Sequence, residues 1–276
     1  MKIALDFAPG LHGHFLELIT NRYIYDVPFN GEHIFQSSGA VHAINVDSEY
    51  QQNKLVHRGH YSSFNHKYSS DTAQVIFIKH SVDLDFVLLT NVYYRCHPDS
   101  INVTDFNVEE ITEFHRKFTK SGSDLDLRNN WFTKLSEHHF EHASMMPITK
   151  LPIHYFNYKS FFNLDAFCDE LQLTAKFLGQ TFKFDASLGV IWEEFIKRNQ
   201  GWSLYQQGND LLKITLTGKD NPILDDWKLH AYLNYRLSLM FNLHDGSLFD
   251  NERYPTTTVE LLSVIQTHLH DFDLKW

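Results

Sequence analysis

Cysteine is scarce in this chain: Cys96 and Cys168 are the two among 276 residues. Two thiols cannot make a disulfide framework, so a reducing compartment and a cytoplasmic location are expected. Glycine (12) and proline (7) are sparse as well. With no internal repeat, low-complexity tract or Pro/Gly/Ser-rich linker, the chain reads as one continuous domain over residues 1–276. No apolar run approaches the roughly 18 residues that cross a bilayer. The opening Lys2–Phe7 reads as a strand rather than a signal peptide, so no membrane partner is expected. Basic residues number 24 against 34 acidic ones, a net charge of −10. That balance argues against broad binding to nucleic acid or anionic membrane, which both need a positive field. It leaves room for one small anion held locally.

What is present is a hydrophobic fraction of 43%, with Phe 23 and Tyr 13, so the chain is globular rather than disordered. Lys2–Phe7 alternates and then turns apolar, as a buried strand does. Lys54–His57 is a short strand candidate, and Gln74–Ile78, β-branched and aromatic, a stronger one. His14–Tyr25 carries Phe15, Leu18, Ile19 and Tyr23 at helical spacing. Helical periodicity also marks Leu84–Tyr94, Val108–Phe118, Asp165–Leu178 (closed by Gly179), Asp185–Lys197, Pro222–Phe241 and Thr256–Leu269. Asn45–Asn53 and Lys120–Asn130 read as loops. Early alternation of strands and helices predicts an α/β fold, with a mainly parallel sheet flanked by helices.

The most informative segment is strand, glycine-containing loop and helix at the start of the chain, Leu5-Asp6-Phe7-Ala8-Pro9-Gly10-Leu11-His12-Gly13-His14-Phe15. A helix N-terminus offers unpaired N–H groups and about half a positive charge, and glycines let a backbone approach a phosphate. In a parallel sheet such a loop lies at the C-terminal strand ends, where ligands bind. The Walker A pattern is absent: two residues separate Gly10 from Gly13, and no Lys-Ser/Thr pair comes after them. Mg²⁺-dependent ATP or GTP chemistry is therefore not expected. A tight βα turn without a ligand is the bland alternative.

The order of segments resembles the sulfotransferase family, in a divergent form such as phage and marine bacterial genomes carry. The resemblance implies a three-layer, P-loop-like fold that binds 3′-phosphoadenosine-5′-phosphosulfate and needs no metal. On it, Gly10, Leu11, His12, Gly13, His14 and Phe15 are the donor loop, with Leu11 standing where the family usually has a lysine. Lys54–Tyr61 is similar to the family's strand ending in the catalytic base, which falls on His60, with His57 as the alternative. Val75–Ser81 is similar to the strand whose terminal cation binds the 3′-phosphate, which falls on Lys79. Tyr158–Phe162 and Phe167–Gly179 look like the family's tyrosine-containing segment and following helix.

Sulfuryl transfer requires an in-line donor and acceptor, removal of the acceptor's proton, and stabilisation of charge on the departing phosphate. A His of pKa near 6.5 suits the second task. His12 or His14, if protonated, would supply the third in place of the lysine. The acceptor, a small molecule or a glycan, has no transferable signature. Two other readings stand beside this one. Glu137-His138-His139-Phe140-Glu141-His142 contains H-x-x-E-H, so His138 and His142 could share a Zn²⁺ with Glu141 activating water in a hydrolase. The other is a protein that keeps the fold but has lost catalysis, to which Leu11 points. The remaining histidines of the 18 read as surface or hydrogen-bonded structural residues.

Overall fold

The computed structural model describes residues 2–7, 11–28, 48–59, 68–79 and 149–217, with a few single positions beyond them. Four strands form one sheet: β1 (Lys2–Asp6), β2 (Val56–Gly59), β3 (Thr72–Lys79) and β4 (Ile153–Asn157). All neighbours are parallel, in the order β2-β1-β3-β4. The expected α/β class and parallel sheet are therefore present. Leu5 lies opposite both Arg58 and Ile76, and Ile76 opposite His154. These residues share one face, because side chains alternate along a strand. Asp6, Gly59 and Phe77 belong to the other face. Ile3 through Phe7 and Val75 through Ile78 are buried without a break. A parallel sheet covered on both sides demands that pattern, which is why these strands read as apolar runs.

The helices are α1 (Gly13–Tyr25), α2 (Ser48–Asn53), α3 (Leu164–Phe177), α4 (Ala186–Arg198) and α5 (Gln200–Thr217), with a 3₁₀-helix over Tyr158–Phe162. The chain groups into two compact units. One holds Met1–Leu84 and Phe140–Gln200, hence the sheet and α1 to α4; the other holds Asp85–His139 and Gly201–Trp276. In the second unit, Trp202 stacks on Tyr205 along α5 at 5.4 Å.

Local chemistry sets the ends of α3 and α4. The Asn163 side chain accepts from the Ala166 N–H at 2.9 Å, and that of Asp185 from the Ser187 N–H at 2.7 Å. At the far end of α3, Gly179 takes φ 67°. Its N–H bonds the Lys176 carbonyl, and the Gln180 N–H bonds the Ala175 carbonyl at 2.8 Å. That pair of bonds is the left-handed glycine stop the sequence predicts.

α1 and α3 cover the Leu5–Ile76 face. From α1, the Asn21 side chain reaches the backbone at the entry of β2; from α3, Thr174 Oγ1 lies 3.0 Å from His154 Nε2. Between them Phe15 packs on Phe167 and Phe156 on Phe161 and Phe167, with Phe195 of α4 stacked on Phe15 at 4.1 Å. Each ring is fully buried, worth roughly 1.5–3 kcal/mol apiece in transfer free energy.

Three expectations change. Asn45–Asn53, read as a loop, ends in helix α2, whose single apolar anchor, Tyr50, is too little for a periodicity signal. The strand expected over Lys54–His57 lies at Val56–Gly59, because the Lys54 N–H still bonds the Tyr50 carbonyl and closes α2. β4 and α5 are additions that periodicity does not mark. The helices expected over Leu84–Tyr94, Val108–Phe118, Pro222–Phe241 and Thr256–Leu269, and the loop Lys120–Asn130, lie outside the described residues apart from isolated positions.

Candidate functional site at the carboxyl edge of the sheet

β1 leads through α1 to β2 on one side, while β3 leads to β4 on the other. The chain therefore reverses direction across the sheet between β1 and β3, and a crevice opens at such a point beyond the C-terminal strand ends. Phe7 comes directly after β1 at this edge, and Lys79 is the last residue of β3.

The start of α1 is built around His12. This residue takes φ 57°, ψ 26°, left-handed backbone directly ahead of the helix, with no side-chain cap. Its carbonyl accepts from the Phe15 N–H at 3.0 Å and the Leu16 N–H at 3.1 Å, so those two amides are spent inside the helix. Neither Phe15 nor Leu16 therefore offers its N–H outward at this end of α1. Gly13 comes next because nothing larger fits: a Cβ there would lie 2.2 Å from ring carbons of buried Phe7. His14 is half-buried, its ring edge-on to Phe7 with centroids 6.0 Å apart.

The His12 ring is enclosed. Phe195 meets it edge-on at 4.9 Å and Tyr158 stacks at 5.7 Å. Its Nε2 lies 3.0 Å from Asn199 Nδ2 and 3.3 Å from the Tyr158 hydroxyl. An amide NH₂ only donates, so Nε2 accepts and the ring proton sits on Nδ1. Burial lowers the His12 pKa to about 3. The ring is neutral at physiological pH. A second proton on His12, the form expected to stand in for the missing lysine, would lose its hydration there and face the Asn199 amide.

The other expected site residues fall as follows. Leu11 is buried, and Phe15 is a core residue whose ring serves the aromatic cluster. Lys79 is exposed at the C-terminal end of β3, paired in register with Asn157. The structure thus brings the 11–15 segment and Lys79 to the same edge of the sheet. Gly10, His60, His138, Glu141 and His142 lie outside the described residues. His57, the alternative base, is in β2; burial is the largest influence lowering its pKa, with the Lys54 and Lys2 charges adding to it. His154 is a structural histidine, bonded to Thr174 and stacked on Phe177 at 5.5 Å.

Two groups near the proposed site escape a reading of the sequence. Asp6 is a buried carboxylate at the tip of β1 that accepts from the Tyr68 hydroxyl at 2.8 Å. Its signal is an acid interrupting an apolar strand. The second is an ion cluster on the α1 side. Glu17, 1% exposed, binds Lys54 Nζ at 2.9 Å and also Arg58 Nη1. Among the described residues, no group of three or more His, Cys, Asp or Glu is placed to hold a metal ion, and no helix is long and apolar enough to cross a membrane.

No family model, no curated protein and no solved structure matches this chain.

Proposed function

We propose that this chain is a sulfotransferase-like protein with a three-layer, P-loop-like core. In this reading it takes the sulfuryl group of 3′-phosphoadenosine-5′-phosphosulfate to an acceptor oxygen or nitrogen. The observation that carries the reading is the shared edge: the β1–α1 segment and Lys79 stand on either side of the reversal between β1 and β3. Backbone amides ahead of residue 15 take the 5′-phosphosulfate, Lys79 takes the 3′-phosphate, and His60 removes the acceptor's proton. The step breaks the bond between sulfur and the bridging phosphate oxygen and forms one from sulfur to the acceptor. The bisphosphate leaves with the electron pair, and the acceptor's proton passes to the base.

A second reading is favoured by one observation. Leu11 is buried and His12 neutral, so neither brings a cation to the loop. A protein of this kind holds the nucleotide without turning it over.

Thermal unfolding with 3′,5′-adenosine bisphosphate, ATP, or a zinc chelator separates these readings. A ligand at 100 times its Kd adds about 2.7 kcal/mol to apparent stability. A rise in Tm with the bisphosphate, plus its release from the phosphosulfate donor in the presence of an acceptor pool, supports transfer. A rise without release supports binding alone. Loss of stability with chelator and no response to the bisphosphate overturns both in favour of a zinc protein.

A further inference from the structure

On a chain of net charge −10, an anion needs a local positive site. The Glu17 cluster is one. Among the described residues, two cations share one buried carboxylate, which leaves one positive charge over. The two cations differ. The Lys54 side chain is 11% exposed and its ammonium lies 6.0 Å from the centre of the Tyr50 ring, so it is committed to the protein. The Arg58 side chain is 27% exposed, and Glu17 takes only Nη1. A guanidinium has five N–H donors in a planar fork, so a carboxylate on one nitrogen orients the fork and leaves donors over.

The position of Arg58 is set by register. It pairs with Leu5, one residue short of the C-terminal end of β1, and so stands at the ligand edge of the sheet. Glu17 comes four residues after Gly13, about 6 Å along the α1 axis. Arg58 therefore stands beside the opening turns of α1. The Asp6 carboxylate, one residue further along, belongs to the opposite face and bonds Tyr68.

We infer that Arg58, oriented by Glu17, is an anion-binding residue at the β2 end of this edge, and that its ligand is a phosphate group. This deepens the proposed nucleotide site by supplying a cation for the lysine its loop lacks. It depends on that reading only for the nucleoside.

Calorimetric titration with inorganic pyrophosphate, and separately with 3′,5′-adenosine bisphosphate, tests it on wild type, Arg58→Gln, Arg58→Lys and Lys54→Gln. A charge-assisted hydrogen bond of about 1.5 kcal/mol corresponds to a little over tenfold in affinity. Arg58→Gln should therefore weaken pyrophosphate by about tenfold or more. Arg58→Lys, which keeps the charge beside Glu17 but loses the fork, should weaken it less, at an unfolding midpoint close to wild type. Lys54→Gln, which removes the surplus charge of the cluster but keeps the guanidinium fork, should lower the midpoint and weaken pyrophosphate less than Arg58→Gln does. If Arg58→Gln does not fold, Arg58→Lys decides. The inference is overturned if wild type binds no pyrophosphate, or if the folded Arg58 variants bind it as wild type does. Unchanged nucleotide binding by Arg58→Gln removes Arg58 and spares the nucleotide reading. Arg58-dependent pyrophosphate binding without nucleotide binding does the reverse.

Discussion

The side-chain amide of Asn199, at the C-terminal cap of α4, donates to Nε2 of His12, the residue that opens α1, across 187 positions of sequence. Both residues are buried. This one bond fixes the imidazole tautomer. It also ties the end of a late helix to the turn after the first strand.

Removing the donor should expose that dependence. Asn199→Ala deletes the hydrogen bond to Nε2 at 3.0 Å and leaves the Tyr158 hydroxyl at 3.3 Å. Loss of a buried hydrogen bond predicts destabilisation of about 1–3 kcal/mol, read as a lower urea midpoint at an unchanged m-value.

The His12 ring makes stability depend on pH. Its folded pKa is about 3 against an ordinary value of 6.5, so below pH 6.5 the unfolded chain takes up a proton that the folded chain refuses. The contribution of the neutral ring is complete above pH 6.5 and declines as pH falls toward 3, by up to about 1.4 kcal/mol per pH unit. His57 and His154, also lowered mainly by burial, act in the same direction. Replacing His12 by Asn, which tolerates left-handed backbone and does not titrate, should flatten the slope between pH 6 and pH 4. Urea unfolding at a series of pH values measures it; an identical slope in both proteins would remove the assignment.

Gly13→Ala should be costly for a reason unrelated to helix propensity. Its Cβ would sit 2.2 Å from the Phe7 ring, which is itself buried. Overpacking of this kind predicts a loss of about 1–3 kcal/mol. Phe7→Leu in the same chain should recover part of it, since contacting residues couple. Additive losses in the double variant would contradict the contact.

Asn21 pins α1 to the entry of β2. Its carbonyl oxygen accepts from the N–H groups of Leu55 and Val56, both at 3.0 Å, and its amide donates to the Val56 carbonyl at 3.0 Å. It thus serves the strand backbone as a neighbouring strand would. Asn21→Ala leaves several buried backbone groups without that partner, each costing about 1–3 kcal/mol. We expect no cooperative unfolding transition in this variant. Asn21→Asp, which keeps the acceptor and loses the donor, should fold with reduced stability.

Gly179→Ala offers a milder contrast. A methyl group there meets nothing within 4 Å, so the whole penalty is the left-handed φ of 67°. About 1 kcal/mol is expected, with no change in any binding property.

The parts of this fold legible in the sequence are those whose causes are local. β1 and β3 show as apolar runs because both faces of a parallel sheet are covered. α3 and α4 show through a capping Asn or Asp, a stripe of apolar residues and, for α3, a terminal glycine. The first strand and the helix Gly13–Tyr25 also declare themselves. β4 does not: Ile153–Asn157 carries the same residue types as the aromatic segment after it, and its strand state comes from pairing with β3.

The amino-acid order alone determined that β1, β3, α1, α3 and α4 form, because capping, turn chemistry and periodicity act over a few residues. Tertiary structure alone decided the character of the groups at the sheet edge. The charge of His12 comes from burial by Tyr158, 146 positions away, and from Phe195 and Asn199 of α4. The reach of Arg58 comes from a carboxylate on another element. Solvation and pairing between distant segments set protonation and charge, and no short stretch of sequence contains both partners.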